Sequence, residues 1–542
     1  MAKGILAMSV PSSTSFPVTM NPGLLFALLL TGSALAADFD LLITHAQIAD
    51  GSGGPLVQGS IAVKGGRIVA VGQVEGSADE VIDAGGKVAA PGFIDVHTHS
   101  EDICLIPAAE NFLRMGVTTI ITGNCGHSRT DVAKFFQEIE ESKVALNVAT
   151  LIGHGSVREQ GMGGSFIRAP NAEQLATMKE LVNQAMKDGA VGLSTGLIYV
   201  PGSFAKTDEL IALAKVAAAH DGIYVSHMRY ETVRIFEALD EIIRIARDAK
   251  ICAEVSHIKL SGPTAWGKAR EVLAVLDKAR ADGLKITQDQ YAYTASSTGL
   301  RQTLPDSALE GEPADFVARI SDPQKKASII ASMAEMRARQ GRKDYGYAVI
   351  ARCKADPSLN GKTVPEAAKL RRGADTLEDQ IEVILEIESQ GGASAIFHGM
   401  NEDDLQTFLK HPLTMFASDG GPRHLGEDVP HPRSYGNNAR VLGHYVRKLK
   451  LLTLPEAVRR MTSLPAQTFH LKDRGMIKPG AHADIVIFDP EKVTDPSTFS
   501  DPHHYAEGFD HIIVNGGVTI RGGKLTKVRS GGPLRKIQEV DR

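Results

Sequence analysis

In "GFIDVHTHSE", residues 92–101, an apolar run closes on two histidines one residue apart. Side chains of an extended chain alternate faces, so His97 and His99 project together from one end of a strand. Two imidazoles aimed at one point suggest a metal, although a lone His-x-His is as often a surface or hydrogen-bonded pair. Their company decides. Cys125 in "GNCG", His227 in "YVSHM" and His257 in "VSHIK" add three further donors. A thiolate and neutral imidazoles are borderline-soft ligands that suit zinc, and a catalytic zinc takes three protein ligands and keeps a position open for water. The glycines around Cys125 let the backbone turn so that the sulfur can reach a metal. Asp419 in "ASDGGP" supplies a carboxylate able to take a proton from water and pass it to a leaving amine. Asp-Gly is also a turn signal, so a purely structural Asp419 is the alternative.

These residues need a scaffold that brings distant segments to one place. The middle of the chain alternates short apolar strands with amphipathic helices, the pattern of a parallel sheet. Eight candidate strands end near residues 99, 125, 155, 196, 227, 259, 291 and 419. Eight such units predict an α/β fold, a TIM-like (β/α)8 barrel over 92–470, whose strand ends all open on one face. His97 and His99, Cys125, His227, His257 with Lys259, and Asp419 all fall at those ends, which packing alone does not explain.

More than a hundred residues separate the seventh and eighth strand ends, so an insertion is expected at about 300–395. Its charged run "DPQKKASIIASMAEMRARQGRK" reads as a solvated helix face. Val/Ile-rich runs broken by Gly-Gly pairs at 37–91 and 471–530 predict a small β-domain assembled from both termini, with 531–542 as a tail.

A length of 542 residues exceeds one simple core, and a net charge of −5 offers no basic field for nucleic acid. Residues 24–30, "LLFALLL", followed by "TGSALAAD", read as a signal peptide over 1–36 with cleavage after Ala36, and hence export to a periplasm. Met20 is an alternative start. No later segment reaches about 20 consecutive apolar residues, so no membrane span is expected in the mature protein. Four cysteines, at 104, 125, 252 and 353, are too few for a disulfide scaffold and leave room for one bridge.

The motifs "PGFIDVHTHSE", "GNCGHS", "GHGSVR", "GLSTGLIYVPG", "SHMRYE", "SHIKLSG", "YAYTASST", "ASDGGP" and "HPRSYG" occur in that order between about residues 39 and 527. In this the chain resembles the amidohydrolase superfamily and, within it, the D-aminoacylase group of N-acyl-D-amino-acid deacylases. The resemblance implies one tightly held zinc on Cys125, His227 and His257, a weaker second position at His97, His99 and Asp419, and Asp419 as general base and then acid. It also implies that Lys259, Tyr291, Ser297 and Arg433 grip a substrate carboxylate and that Tyr199 stands near the scissile carbonyl. The chemistry is coherent, because a carboxylate suits a forked guanidinium and an ammonium, with hydroxyl donors to orient it.

The activity so implied is zinc-dependent cleavage of the amide of N-acyl-D-amino acids, or of dipeptides with a C-terminal D-residue, on a small-molecule substrate. Cyclic-amide hydrolysis is the enzymatic alternative, yet the hydantoinases and dihydroorotases generally bridge two metals with a carboxylated lysine, and no lysine ends strand three or four here. A non-catalytic scaffold is the remaining alternative. His127 and His154 stand near the ligand set with supporting or packing roles expected. Arg423 or His424 competes with Arg433 for its role, and Arg301 is expected either to meet an acidic substrate side chain or to form a surface salt bridge.

Overall fold

The computed structural model describes residues 37–536, so the signal peptide read at 1–36 lies outside the described residues. Eight short apolar segments form parallel strands: β1 (Phe93–Asp95), β2 (Val117–Thr122), β3 (Asn147–Thr150, continued by Ile152–Gly153), β4 (Gly192–Gly196), β5 (Ile223–His227), β6 (Cys252–Val255), β7 (Ile286–Gln290) and β8 (Thr414–Phe416). Both faces of most of them are buried, which is why they read as near-continuous apolar runs rather than alternating ones. Each strand pairs with the next from β1 to β3 and from β3 to β8. A parallel bridge between Thr98 and Gly420 links the end of β8 back to that of β1, where the Asp419 N–H donates to the His97 carbonyl at 2.9 Å. This order is consistent with a closed (β/α)8 barrel.

Outer helices cover the strands through apolar stripes. The helix Ile235–Ala249 buries Leu239, Ile242, Ile243 and Ala246, the i, i+3, i+4, i+7 spacing of one helical face. β4 and β5 end at 196 and 227 as the sequence pattern indicates, whereas others stop a few residues earlier. β2, β6 and β8 end at 122, 255 and 416, and Cys125, His257 and Asp419 occupy the turns just beyond them with φ of 53°, 35° and 50°. A left-handed residue cannot continue a pleated strand, so each donor is carried on a turn rather than on the strand itself.

A nine-stranded sheet collects strands from Phe39–Ile48 to Val88–Pro91 and, from the other end of the chain, Ile485–Phe488 to Lys524–Leu525. The two ends meet where Val88–Pro91 pairs antiparallel with Ile485–Phe488. Beyond β7, the segments Ser296–Gly299, Ala348–Cys353 and Ala393–Phe397 form a three-stranded antiparallel sheet over a separate core that includes Leu300, Met333, Ile350 and Ile384. The charged run lies in the helix Pro323–Arg339, anchored by Ile329 and Met333. All four cysteines are free, so the bridge left open by the sequence is not formed. No described helix is long and apolar enough to cross a membrane.

Candidate active site

Six side chains converge at the C-terminal ends of the parallel strands. The Cys125 Sγ lies 3.3 Å from His97 Nε2, 3.6 Å from His227 Nδ1 and 3.6 Å from His257 Nε2. Asp419 Oδ1 lies 3.1 Å from His99 Nε2 and 3.7 Å from His97 Nε2. They form three overlapping groups, His97/His99/Cys125, Cys125/His227/His257 and His97/His257/Asp419, each with its donor atoms within 4.8 Å of one another.

The spacing fits a metal. Bonds of about 2.1 Å to nitrogen and about 2.3 Å to sulfur at a tetrahedral angle put the two ligand atoms about 3.6 Å apart. Charge points the same way. Burial pushes the Cys125 thiol well above its ordinary value, so a thiolate here needs a cation beside it. Burial pulls His227 down and, helped by Lys259, takes His257 to about 3, leaving both imidazoles neutral with lone pairs to give. Burial alone would raise Asp419, but the Arg433 guanidinium and then His99 outweigh it and hold the carboxyl well below its usual range.

A cavity of about 350 Å³ opens over this cluster, lined by His99, Cys125, His127, Tyr199 and Ser297 among others. A lobe of about 270 Å³ shares His99 and Ser297 and adds Asp419 and Arg433. A wider groove of about 1050 Å³ between outer helices, lined by residues such as Lys179, Lys215 and Arg244, contains no member of the cluster.

The amidohydrolase family model, Amidohydro_3, matches residues 80–520. The chain belongs to the amidohydrolase family. It is 34% identical over 502 residues to the N-acyl-D-glutamate deacylase of Alcaligenes xylosoxydans xylosoxydans, covering 88% of this chain and 93% of that one. The D-aminoacylase of the same organism is 34% identical over 503 residues, covering 88% and 94%. The crystal structure of N-acyl-D-glutamate deacylase from Bordetella bronchiseptica, complexed with zinc and a phosphonate mimic of the reaction tetrahedral intermediate, superposes with a TM-score of 0.79 at 33% identity. It covers 92% of this chain and 99% of its own.

In this amidohydrolase two carboxylates that the sequence reading missed orient the donors. Glu231 Oε1 lies 3.4 Å from His227 Nε2 and 3.3 Å from His257 Nδ1, which Lys259 Nζ also approaches to 2.6 Å, and each ring turns its other nitrogen toward Cys125. Asp289 Oδ2 lies 3.3 Å from His97 Nδ1, while its Oδ1 accepts the His257 backbone N–H at 3.0 Å. Glu231 closes the motif "SHMRYE", four residues after His227, and Asp289 lies in the seventh strand. For Asp289, a carboxylate in a buried parallel strand is the available signal.

The residues expected around the substrate are placed differently from one another. Lys259 is buried and its ammonium donates to Glu231 at 2.6 Å, so it is engaged within the protein rather than held free in the cavity. Arg433 Nη1 lies 2.8 Å from Asp419 Oδ2, and its guanidinium stacks 4.7 Å from the Tyr291 ring centroid. Ser297 meets Arg433 through its backbone carbonyl, which accepts from Nη2 at 3.3 Å. The Thr298 hydroxyl donates to the Tyr199 phenol oxygen at 3.2 Å. Burial raises Tyr199 and Tyr291 well above the ordinary phenol value, so both remain neutral.

Three other positions resolve plainly. His154 packs on Glu209 at 2.9 Å beside Arg158, outside the cluster. His127 lines the cavity. Arg301 is exposed and pairs with Glu388 at 3.4 Å, the surface-bridge alternative.

Proposed function

We propose that this amidohydrolase uses zinc to cleave the amide bond of N-acyl-D-amino acids, or of dipeptides ending in a D-residue. The observation that carries the reading is the convergence of Cys125, His227, His257, His97, His99 and Asp419, delivered by five different strand ends to one buried point. Cys125, His227 and His257 form the tight position, and His97, His99 and Asp419 the weaker second one. When bound, zinc supplies Lewis acidity for the scissile carbonyl and lowers the proton affinity of a water it holds.

The protein's own groups do the rest. Asp419 takes the proton of the attacking water and returns it to the leaving nitrogen. Tyr199, a neutral phenol held by Thr298, donates to the carbonyl oxygen as negative charge develops there. Arg433 exchanges its contact with Asp419 for the substrate α-carboxylate, with Tyr291 and Ser297 fixing its position and Lys259 adding positive charge behind it. Holding the carboxylate and the carbonyl at two points leaves the Cα substituents one acceptable hand.

The same reading takes the eight-strand ring as a (β/α)8 barrel over 92–470 with an insertion at about 300–395. A β-domain combines 37–91 and 471–530, and 1–36 is an export signal that places the mature enzyme in a periplasm. The cyclic-amide alternative depends on a bridging lysine, and β3 and β4 end in Gly153 and Gly196 instead.

The test is amine release by zinc-loaded mature protein from paired N-acetyl-D and N-acetyl-L amino acids and from L-D and L-L dipeptides. Turnover confined to the D-series supports the proposal. Turnover of hydantoin or dihydroorotate with none of any D-amide would replace it with the cyclic-amide reading.

A further inference from the structure

We infer that the cavity lobe beside Asp419 contains a second carboxylate subsite built on Arg423, so that the D-residue this enzyme prefers is acidic. The inference rests on the amide-hydrolase reading above and specifies the side chain that reading leaves open.

The lobe of about 270 Å³ is walled by three arginines, Arg433, Arg352 and Arg423, with Asp419 and Asp428 as its carboxylates. Two of the arginines are engaged. Arg433 lies on Asp419 at 2.8 Å and is assigned to the substrate α-carboxylate, and Arg352 is neutralised by Asp428 at 3.0 Å. Arg423 makes no side-chain hydrogen bond or ion pair among the described residues, and its Nε is buried without an acceptor. A buried guanidinium nitrogen left unpaired is unfavourable, and such a group is ordinarily satisfied by a carboxylate. Asp419 and Asp428 are both occupied and Asp102, whose charge also acts on Arg423, forms no ion pair with it, so a ligand carboxylate is the group that would complete Arg423.

Arg423 and Arg433 are held in one frame. The buried Asn111 accepts the backbone N–H of Arg423 at 3.2 Å and donates its amide to the carbonyls of Gly421 at 3.0 Å and Ser434 at 2.8 Å. One side chain thus clamps the segment bearing Arg423 to the residue that follows Arg433. The Tyr435 hydroxyl adds a second tie, donating to the His424 carbonyl at 3.1 Å. Fixed donors of this kind bind without first losing backbone freedom, which favours a ligand with two carboxylates on a short chain. An N-acylated D-glutamate or D-aspartate offers that pair. The competing home for a side chain is a lobe of about 480 Å³ that shares Thr298, where Leu197, Ile198, Met336, Tyr347 and Phe397 offer apolar wall beside the charged Arg229, Glu231 and Asp306.

The experiment compares kcat/KM of zinc-loaded protein for N-acetyl-D-glutamate, N-acetyl-D-aspartate and N-acetyl-D-leucine, together with calorimetric binding of D-glutamate and D-leucine. The expected result is a preference of about tenfold or more for an acidic substrate over the leucine one. Arg423→Met should reduce that ratio by about 10- to 100-fold, chiefly through KM, and Arg423→Lys should restore part of it because charge returns without the fork. Preference for leucine in the unmodified enzyme, or an unchanged ratio in Arg423→Met, overturns the subsite. If no D-amide is turned over, calorimetry decides separately: tighter binding of D-glutamate retains the subsite and removes the hydrolase reading, while equal binding removes the subsite.

Discussion

His154 and His227 both follow or end a parallel strand and both are buried, yet they sit in regions of opposite character. His154 begins the helix after β3, and its Nε2 meets Glu209, which also accepts from Arg158 at 3.0 Å. Burial would raise Glu209, but His154 and Arg158 outweigh it and hold it below its ordinary value. In that region charges of both signs answer one another within the protein. Around His227 the donors face inward instead, with sulfur and three imidazoles within 3.6 Å and a carboxylate beside them. Only a cation completes that arrangement. A histidine at a strand end is therefore not informative by itself; the direction of its lone pair, set by the partner of its other nitrogen, separates a packing residue from a ligand.

The largest expected effect sharpens this contrast at its reactive side. Asp419→Asn should lower kcat by about 10³-fold, within the range for loss of a general base and acid, while metal content measured by atomic emission stays near that of the unmodified protein. Near-normal turnover would take Asp419 out of the mechanism.

The matching change in the other region is Glu209→Gln. It leaves Arg158, which is wholly buried, without its counter-charge, and should cost about 3 kcal/mol in urea denaturation with metal content unaffected. The sign with pH follows from the lowered carboxyl. Glu209 contributes its full stability above the unfolded value of about 4.3 and loses it as pH falls through the lower folded value. The variant should accordingly show a flatter acid limb, and an unchanged limb would assign that loss to other carboxylates.

Smallest is the effect of Glu231→Gln, which tests whether one carboxylate oxygen orients two ligand histidines. Metal affinity by chelator competition should fall by about 10- to 100-fold. Unchanged affinity would mean that Glu231 serves Lys259 alone.

Much of the scaffold and the donor set was legible in the chain because the signals are local. The period of two in "VHTHS" aligns His97 with His99, the glycines around Cys125 mark a turn, and eight apolar runs separated by helical patterns suggest parallel strands. The ends of β2, β6 and β8 are not legible in the same way, because apolar character does not reveal that Cys125, His257 and Asp419 lie beyond them in left-handed backbone conformations.

What only the tertiary structure decided are the contacts between groups far apart in sequence. Arg433 lies against Asp419, Lys259 belongs to Glu231, Asp289 supports both His97 and His257, and Asn111 ties Arg423 to Ser434 across more than three hundred residues. Residue types and spacing determine which chemistry the chain carries. Which nitrogen faces the donor cluster, and which arginine is left without a partner, depends on side-chain directions that exist only once the parallel strands have assembled.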